Sequence, residues 1–245
     1  MAVALFACAM VSGEAYGKQK PLKVGKWVKI FDGKTYDGWR GYNKDAMPQT
    51  WKIEKGGIMM ATGSGDGREG QVGGGDILWA VQKLQNFEME WEWKSPTNSN
   101  GNSGFFYYVQ EVPNTKSIYI SAPEYQLGDV QDWKRNPKHG PASLFDIIAA
   151  EPQNSKPVGE WNKSKVVVDH GNVEHWMNGV KVAEYTLWTP EWIAGLQGSK
   201  FSERRWPQAY EYLKDVGGPN HEGFVGFQDH GHNFWFKNIR VKLLD

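Results

Sequence analysis

Gln228, Asp229 and His230 stand in a row at the end of the run Gly223-Phe224-Val225-Gly226-Phe227. An amide, a carboxylate and an imidazole together can bind hydroxyl groups and move a proton, the imidazole doing so near neutral pH. The run before them is β-branched and aromatic and reads as a strand. Side chains alternate across a strand, so Val225, Phe227 and Asp229 share one face and Gln228 and His230 the other. The apolar set marks the core side, which leaves Gln228 and His230 on the side that can meet a ligand. A similar pair occurs mid-chain. Glu124 and Gln126 lie two apart on the strand expected over Pro123 to Leu127, hence on one face. Beside Pro123 and Tyr125, Glu124 is expected to be partly desolvated, which strengthens a carboxylate as a base.

Six more residues carry chemistry of the same kind. His175 alternates with Val173 and Met177, so it is either a base or a hydrogen-bonded core histidine. Lys200 supplies a cation that a developing anion could use; its plainer reading is a solvated lysine. Asp146 ends the segment Ser143-Leu144-Phe145 near an expected cleft. Asn102, beside Gly104, offers an amide or simply turn chemistry. Trp39 offers a ring face for a sugar, though any single Trp more often fills a core. His139 lies in the polar loop from Asp129 to Pro141, which is long enough to have a function of its own. Glu124, His175 and His230 are the residues that would hold a divalent metal ion, although no H-x-H or HExxH spacing demands one.

The elements that must position these groups are short strands punctuated by Gly, Asn and Pro. Phe87 to Trp93 alternates without a fault. Asn178-Gly179 is a strong hairpin signal between Val173–Met177 and Val180–Tyr185, and Lys55-Gly56 is a second. Helical pattern is confined to Trp192–Leu196 and Trp206–Leu213, inside an insertion near residues 188–220. The expected fold is therefore an all-β sandwich of the jelly-roll kind, a single domain over residues 18–245. Residues 1–17 are apolar with small residues after them and resemble a secretory signal, so export to the periplasm or beyond is expected. Cys8, the only cysteine, also suits a lipoprotein box; disulfide chemistry is excluded. Lys plus Arg equals Asp plus Glu at 28 each, which argues against a nucleic-acid partner. No apolar run is long enough to span a bilayer.

An ordered set of motifs resembles the 3-keto-disaccharide hydrolase domain family. It comprises Phe31-Asp32-Gly33-Lys34-Thr35, Gly38-Trp39, Asn102-Ser103-Gly104, Glu124-Tyr125-Gln126-Leu127, Gly159-Glu160-Trp161-Asn162, His175-Trp176-Met177-Asn178-Gly179, Ser199-Lys200-Phe201, Gln228-Asp229-His230-Gly231 and Phe236-Lys237-Asn238-Ile239. The chain departs from the family pattern in lacking Arg soon after Asn102-Ser103-Gly104, and in carrying Lys237 where the family has Arg. The resemblance implies a concanavalin A-like jelly roll acting on small glycosides oxidised to a ketone at sugar carbon 3. It implies removal of the carbon 2 proton, loss of the carbon 1 substituent and addition of water. Two rival readings remain. Glu88, Glu90 and Glu92 share one face at Cα spacings of roughly 6.6 Å, compatible with the carboxyl pair of a retaining β-glucanase; an alternating solvent face is the plainer reading. A non-catalytic carbohydrate-binding module would need aromatic platforms and no convergent base.

Overall fold

The computed structural model describes residues 19–63, 74–97, 101–128 and 134–245. The signal-like segment 1–17, with Cys8, lies outside the described residues, as does the start of the Asp129–Pro141 loop.

Alternating apolar residues make the strands, and turn residues end them. In order they are β1 (Trp27–Lys29), β2 (Trp39–Gly41), β3 (Trp51–Glu54), β4 (Ile58–Ala61), β5 (Ile77–Leu84), β6 (Phe87–Lys94), β7 (Asn102–Val109), β8 (Glu124–Gly128), β9 (Asn162–Asp169), β10 (Asn172–Met177), β11 (Val180–Thr186), β12 (Gly223–Phe227) and β13 (Phe234–Leu243). The hairpins expected at Lys55-Gly56 and Asn178-Gly179 join β3 to β4 and β10 to β11. Asn178 and Gly179 both have positive φ, at 50° and 85°, as the tight two-residue turn requires. Strands β2 and β5 had no counterpart in the sequence reading.

Among the described residues the strands form two sheets. The eight-stranded sheet runs β11-β10-β9-β6-β13-β4-β3, with β1 also on β13, and the five-stranded sheet runs β2-β5-β12-β7-β8. Their inner faces close over one aromatic core. Trp91 meets Phe105 at 4.4 Å between ring centroids, and Phe227 meets Phe236 at 4.4 Å. Each such fully buried side chain contributes roughly 1.5–3 kcal/mol of hydrophobic stabilisation. A register shift at Asn238 in β13 puts Phe236 and Ile239, three residues apart, on the inner side. The fold is the all-β jelly-roll sandwich expected.

The insertion carries two short helices, α1 (Pro190–Gln197) and α2 (Pro207–Lys214). Thr189 caps α1 by accepting a hydrogen bond from Trp192 N, and Pro190 follows it at the first helical position, where a missing N–H costs nothing. Trp192 and Leu196, one turn apart, face inward.

On the outer face of the eight-stranded sheet, the three glutamates of β6 form a ladder of ion pairs. Glu88 pairs with Lys242, Glu90 with Arg240 (2.6 Å) and Lys163 (3.6 Å), and Glu92 with Lys237 (3.4 Å). This corrects the β-glucanase reading. The carboxylates are matched across the strands by cations, on the sheet opposite the one that carries Glu124. Lys237 belongs to the same ladder and also lies over the Trp161 ring at 4.0 Å.

Candidate active site

The five-stranded sheet presents its outer face in two halves. Cross-strand pairing sets Arg40, Leu78, Gly226, Phe106 and Glu124 in one row. Leu78, Phe106 and Val109 join Tyr42, Ile118 and Ala122 in a small apolar cluster. Beyond it the face turns polar. Gln126 lies opposite Gly104, and Asn102 opposite Gly128; Gln228 N donates to Gly104 O at 2.9 Å. Three of the expected residues are largely withdrawn from solvent here: Glu124 is 6 % exposed, Gln126 1 % and Gln228 4 %.

These groups touch. Gln126 Nε2 reaches Asn102 Oδ1 at 3.0 Å. With the amide turned over, the nitrogen donates to Glu124 Oε1 (2.8 Å) and Ser103 O (3.3 Å), and the oxygen faces the Asn102 amide. That orientation satisfies the nitrogen, and it satisfies the oxygen once the Asn102 amide is turned over with it, so that an N–H faces an oxygen. Ser103 Oγ donates to Gln228 O at 2.9 Å, tying β7 to the end of β12. Gly104 leaves the space the carboxylate fills: a Cβ there would stand 2.5 Å from Glu124 Oε1 and 2.9 Å from Phe106 Cε2.

His230 follows Gln228 and is partly exposed. Its ring stacks with His232 at 5.8 Å, and His232 Nδ1 accepts from Asn102 N at 3.3 Å. The imidazoles therefore stand at the Asn102 end of the polar half. Asp229, between Gln228 and His230 in sequence, turns inward. Its Oδ2 accepts from Thr50 Oγ1 (2.7 Å) and Gly75 N (3.2 Å), and its Oδ1 from Gly231 N (3.1 Å). Asp229 N in turn donates to Asp76 Oδ1 at 3.0 Å. Asp229 thus fixes the course of the segment that carries Gln228 and His230.

A strap borders the other side of Glu124. Residues 142–145 run along the β8 edge, with Ala142 N donating to Gln126 O (2.8 Å), Gln126 N to Ser143 O (3.0 Å) and Phe145 N to Glu124 O (3.0 Å). Leu144 bridges Tyr125 on the core side, so Phe145 shares the face of Glu124. Three groups gather on Phe145. Lys200 Nζ lies 4.4 Å from its ring centroid and 4.9 Å from those of Tyr119 and Phe201. His139 stacks on it at 4.5 Å. Asp146 joins both, its Oδ1 meeting His139 Nε2 at 2.9 Å and its Oδ2 accepting from Lys200 N at 2.6 Å. Tyr119, Phe145 and His232 escaped the sequence reading; Phe145 was legible only as the neighbour of Asp146.

Two expected residues are elsewhere. His175 is 0 % exposed and packs between the sheets, with Nδ1 donating to Ala142 O (2.8 Å) and Nε2 at 3.1 Å from Tyr107 Oη. It projects to the core side of the sheet whose outer face carries Glu124. Trp39 is also core: its Nε1 donates to Ile30 O at 2.6 Å and its ring stacks on Phe227. The metal set Glu124–His175–His230 is consequently not assembled. Among the described residues, no three His, Cys, Asp or Glu side chains gather closely enough to hold an ion.

The fold and this face define a jelly-roll β-sandwich whose smaller sheet groups a largely buried carboxylate with side-chain amides on its outer side. Residues 26–242 match the 3-keto-alpha-glucoside-1,2-lyase-like domain family, and the chain belongs to it. A 3-keto-disaccharide hydrolase of Bacteroides thetaiotaomicron is 47 % identical over 254 aligned positions, covering 98 % of this chain and 86 % of that protein. The crystal structure of a putative glycosyl hydrolase from Parabacteroides distasonis is similar with a TM-score of 0.70 at 30 % identity, covering 89 % of this chain and 94 % of the other. A second from the same organism has a TM-score of 0.66 at 24 % identity, covering 89 % and 100 %, and speaks for the fold.

Proposed function

We propose that this protein cleaves small glycosides already oxidised to a ketone at sugar carbon 3, with net addition of water. Glu124 is the base. The ketone acidifies the proton on carbon 2, and Glu124 removes it. The electron pair moves into a carbon 2–carbon 3 enolate whose oxygen carries the charge. Collapse of the enolate expels the carbon 1 oxygen and leaves a carbon 1–carbon 2 double bond. Water then adds at carbon 1 and a proton returns to carbon 2. Gln126, Asn102 and Gln228 bind sugar hydroxyls, and the Lys200 ammonium stabilises the enolate. His230 borders the same face and serves as a further donor or acceptor.

The observation that carries this reading is the grouping of Glu124 with Gln126 and Asn102 over Gly104, on the outer face of the five-stranded sheet. A mere sugar-binding surface has no need of a largely buried carboxylate in that position. The relative of 47 % identity, named for the hydrolysis of 3-keto-disaccharides, supports the substrate class.

The test is turnover of a 3-keto-disaccharide in deuterium oxide. Deuterium is expected at carbon 2 of the released sugar. Glu124→Gln is expected to lower both exchange and cleavage by about 10²–10⁴-fold, the usual contribution of a positioned base, while the fold persists. Full turnover in that variant removes Glu124 as the base; cleavage that never exchanges carbon 2 removes the elimination route.

A further inference from the structure

A cavity of about 330 Å³ opens at the end of the sandwich away from Asn102. Such a volume lies at the lower end of the small-molecule range. Tyr108, at its back, is near the far end of β7, roughly 20 Å along the strand from Asn102. Four connections meet around it. The β5–β6 turn brings Gln85 and Asn86, and the β9–β10 turn brings His170. Trp188 follows β11, and His221 precedes β12.

The wall is fitted closely. Tyr107 and Tyr108 together face the single residue Val225 where the pairing of β7 with β12 shifts register, a bulge of the kind that re-aims side chains beside functional sites. Gly223 makes this possible, since a Cβ there would run into the Tyr108 backbone. Gly171 does the same for the indole: a Cβ on it would lie 2.6 Å from Trp188 Cζ3. Tyr108 and Trp188 have left-handed backbones, at φ 58° and 61°. Bulky residues adopt that conformation rarely, and it persists where the surroundings impose it.

Hydrogen bonds within the wall fix most of its polar groups. Tyr108 Oη donates to Gln85 O at 2.7 Å, and Gln85 Nε2 to Asn220 O at 3.0 Å. Asn86 Oδ1 accepts from His170 N at 2.9 Å. Asn86 Nδ2 donates to Asp245 O at 3.1 Å and makes a longer contact of 3.5 Å with His170 Nε2. His170 Nδ1 donates to Asp169 Oδ1 at 2.7 Å. Gln85 keeps Oε1 as an acceptor for a ligand. Among the described residues, His221 makes no hydrogen bond through its ring; Nε2 stands 3.9 Å from Asp215 Oδ1, beyond hydrogen-bond reach. The ring lies flat on Trp188 at 3.6 Å between centroids and offers one donor and one acceptor when neutral. No Lys, Arg, Asp or Glu lines the cavity, so an ionic ligand meets no counter-charge. Adjacent hydroxyls on a neutral ring match an acceptor set beside a donor–acceptor pair.

We propose that this cavity is a second, non-catalytic sugar site that holds one neutral hexose ring through Gln85 Oε1 and the His221 imidazole. Its occupancy does not depend on the role given to Glu124.

The test is an NMR titration of the native protein with glucose, galactose and mannose, read at the Trp188 indole N–H, which Trp188→Phe assigns. At least one hexose is expected to shift that signal saturably. Gln85→Ala and His221→Ala are each expected to weaken binding by about 10-fold, as when one or two hydrogen bonds are lost. Gln85 is exposed, so its truncation tests the site without disturbing the fold. Both variants should turn over a 3-keto-disaccharide at the native rate. A signal that none of the three sugars moves overturns the proposal. Binding that both variants leave intact puts the sugar elsewhere and overturns it too. Tighter binding of glucuronate or glucosamine than of glucose would make the ligand ionic, against the proposal. Turnover lost along with binding in both variants would make the cavity part of the catalytic site and overturn its separate role.

Discussion

At the scale of single residues, the site is shaped as much by a missing side chain as by those present. Glu124 and Gln126 were legible as a polar pair on one strand face, and Asn102 as an amide beside a glycine. That Gly104 is the seat of the carboxylate was not legible, because it depends on which strand lies alongside β8. The structure makes the consequence quantitative. A methyl group on residue 104 would approach Glu124 Oε1 to 2.5 Å, so the carboxylate must turn away. Gly104→Ala is expected to cost about 10²-fold in kcat/KM, the scale associated with displacing a catalytic group by about 1 Å. The accompanying loss of stability should be about 1–3 kcal/mol from overpacking. Steady-state kinetics beside a denaturant titration separates the two effects. Normal activity in this variant would mean that the position of Glu124 against β7 is of no importance to turnover.

At the scale of elements, alternation told which residues share a face but not which of two outward faces carries the site. Both sheets have polar exteriors, and β6, with the most regular pattern in the chain, belongs to the wrong one. Its glutamates read equally well as a catalytic row or a solvent ladder until β9 and β13 are known to bring Lys163, Lys237, Arg240 and Lys242 beside them. Conversely, the strap along β8 had no sequence signature, since residues 142–145 make only isolated bridges rather than a strand of their own. His175 was misleading for a related reason. Its motif neighbours lie on β10 in the larger sheet, so proximity in the motif order said nothing of the face it would occupy. The ladder gives a clean discriminating variant. Glu88→Gln is expected to leave 3-keto-disaccharide turnover unchanged and to cost under about 1 kcal/mol, as for other partly exposed ion pairs. Loss of activity in Glu88→Gln would restore the β6 carboxylates as candidates.

At the scale of the whole molecule, His175 links the two sheets and makes the sandwich sensitive to acid. It bonds to Ala142 O on the strap and to Tyr107 on β7, whose hydroxyl also meets that of Tyr185 on β11. Nδ1 donates to the carbonyl, so Nε2 accepts from Tyr107 Oη; the network is complete with a neutral ring. Burial lowers the His175 pKa from 6.5 to about 4, partly offset by the bond to Ala142 O. The folded protein therefore binds this proton less readily than the unfolded chain does. Between pH 6.5 and about 4 the unfolded state holds more protons, and stability falls as the pH drops. The contribution is fully present above the unfolded pKa and amounts to on the order of 3 kcal/mol across the window. Two carboxyls act mainly at the acid end of that range: backbone hydrogen bonds from Thr35 and Lys34 hold Asp32 below the usual carboxylate value, and for Glu111 the opposing effect of burial is outweighed by Arg40 and the Asn43 N–H, which hold it below that value too. The difference between the native protein and His175→Gln isolates the histidine, because the other groups are common to both. Urea titrations at pH 7, 6, 5 and 4.5 should show the stability gap between the two proteins shrinking as the pH falls. A gap that stays constant across those titrations would mean that His175 gains its proton as easily inside the sandwich as in water, and that the link between the sheets does not depend on a neutral ring.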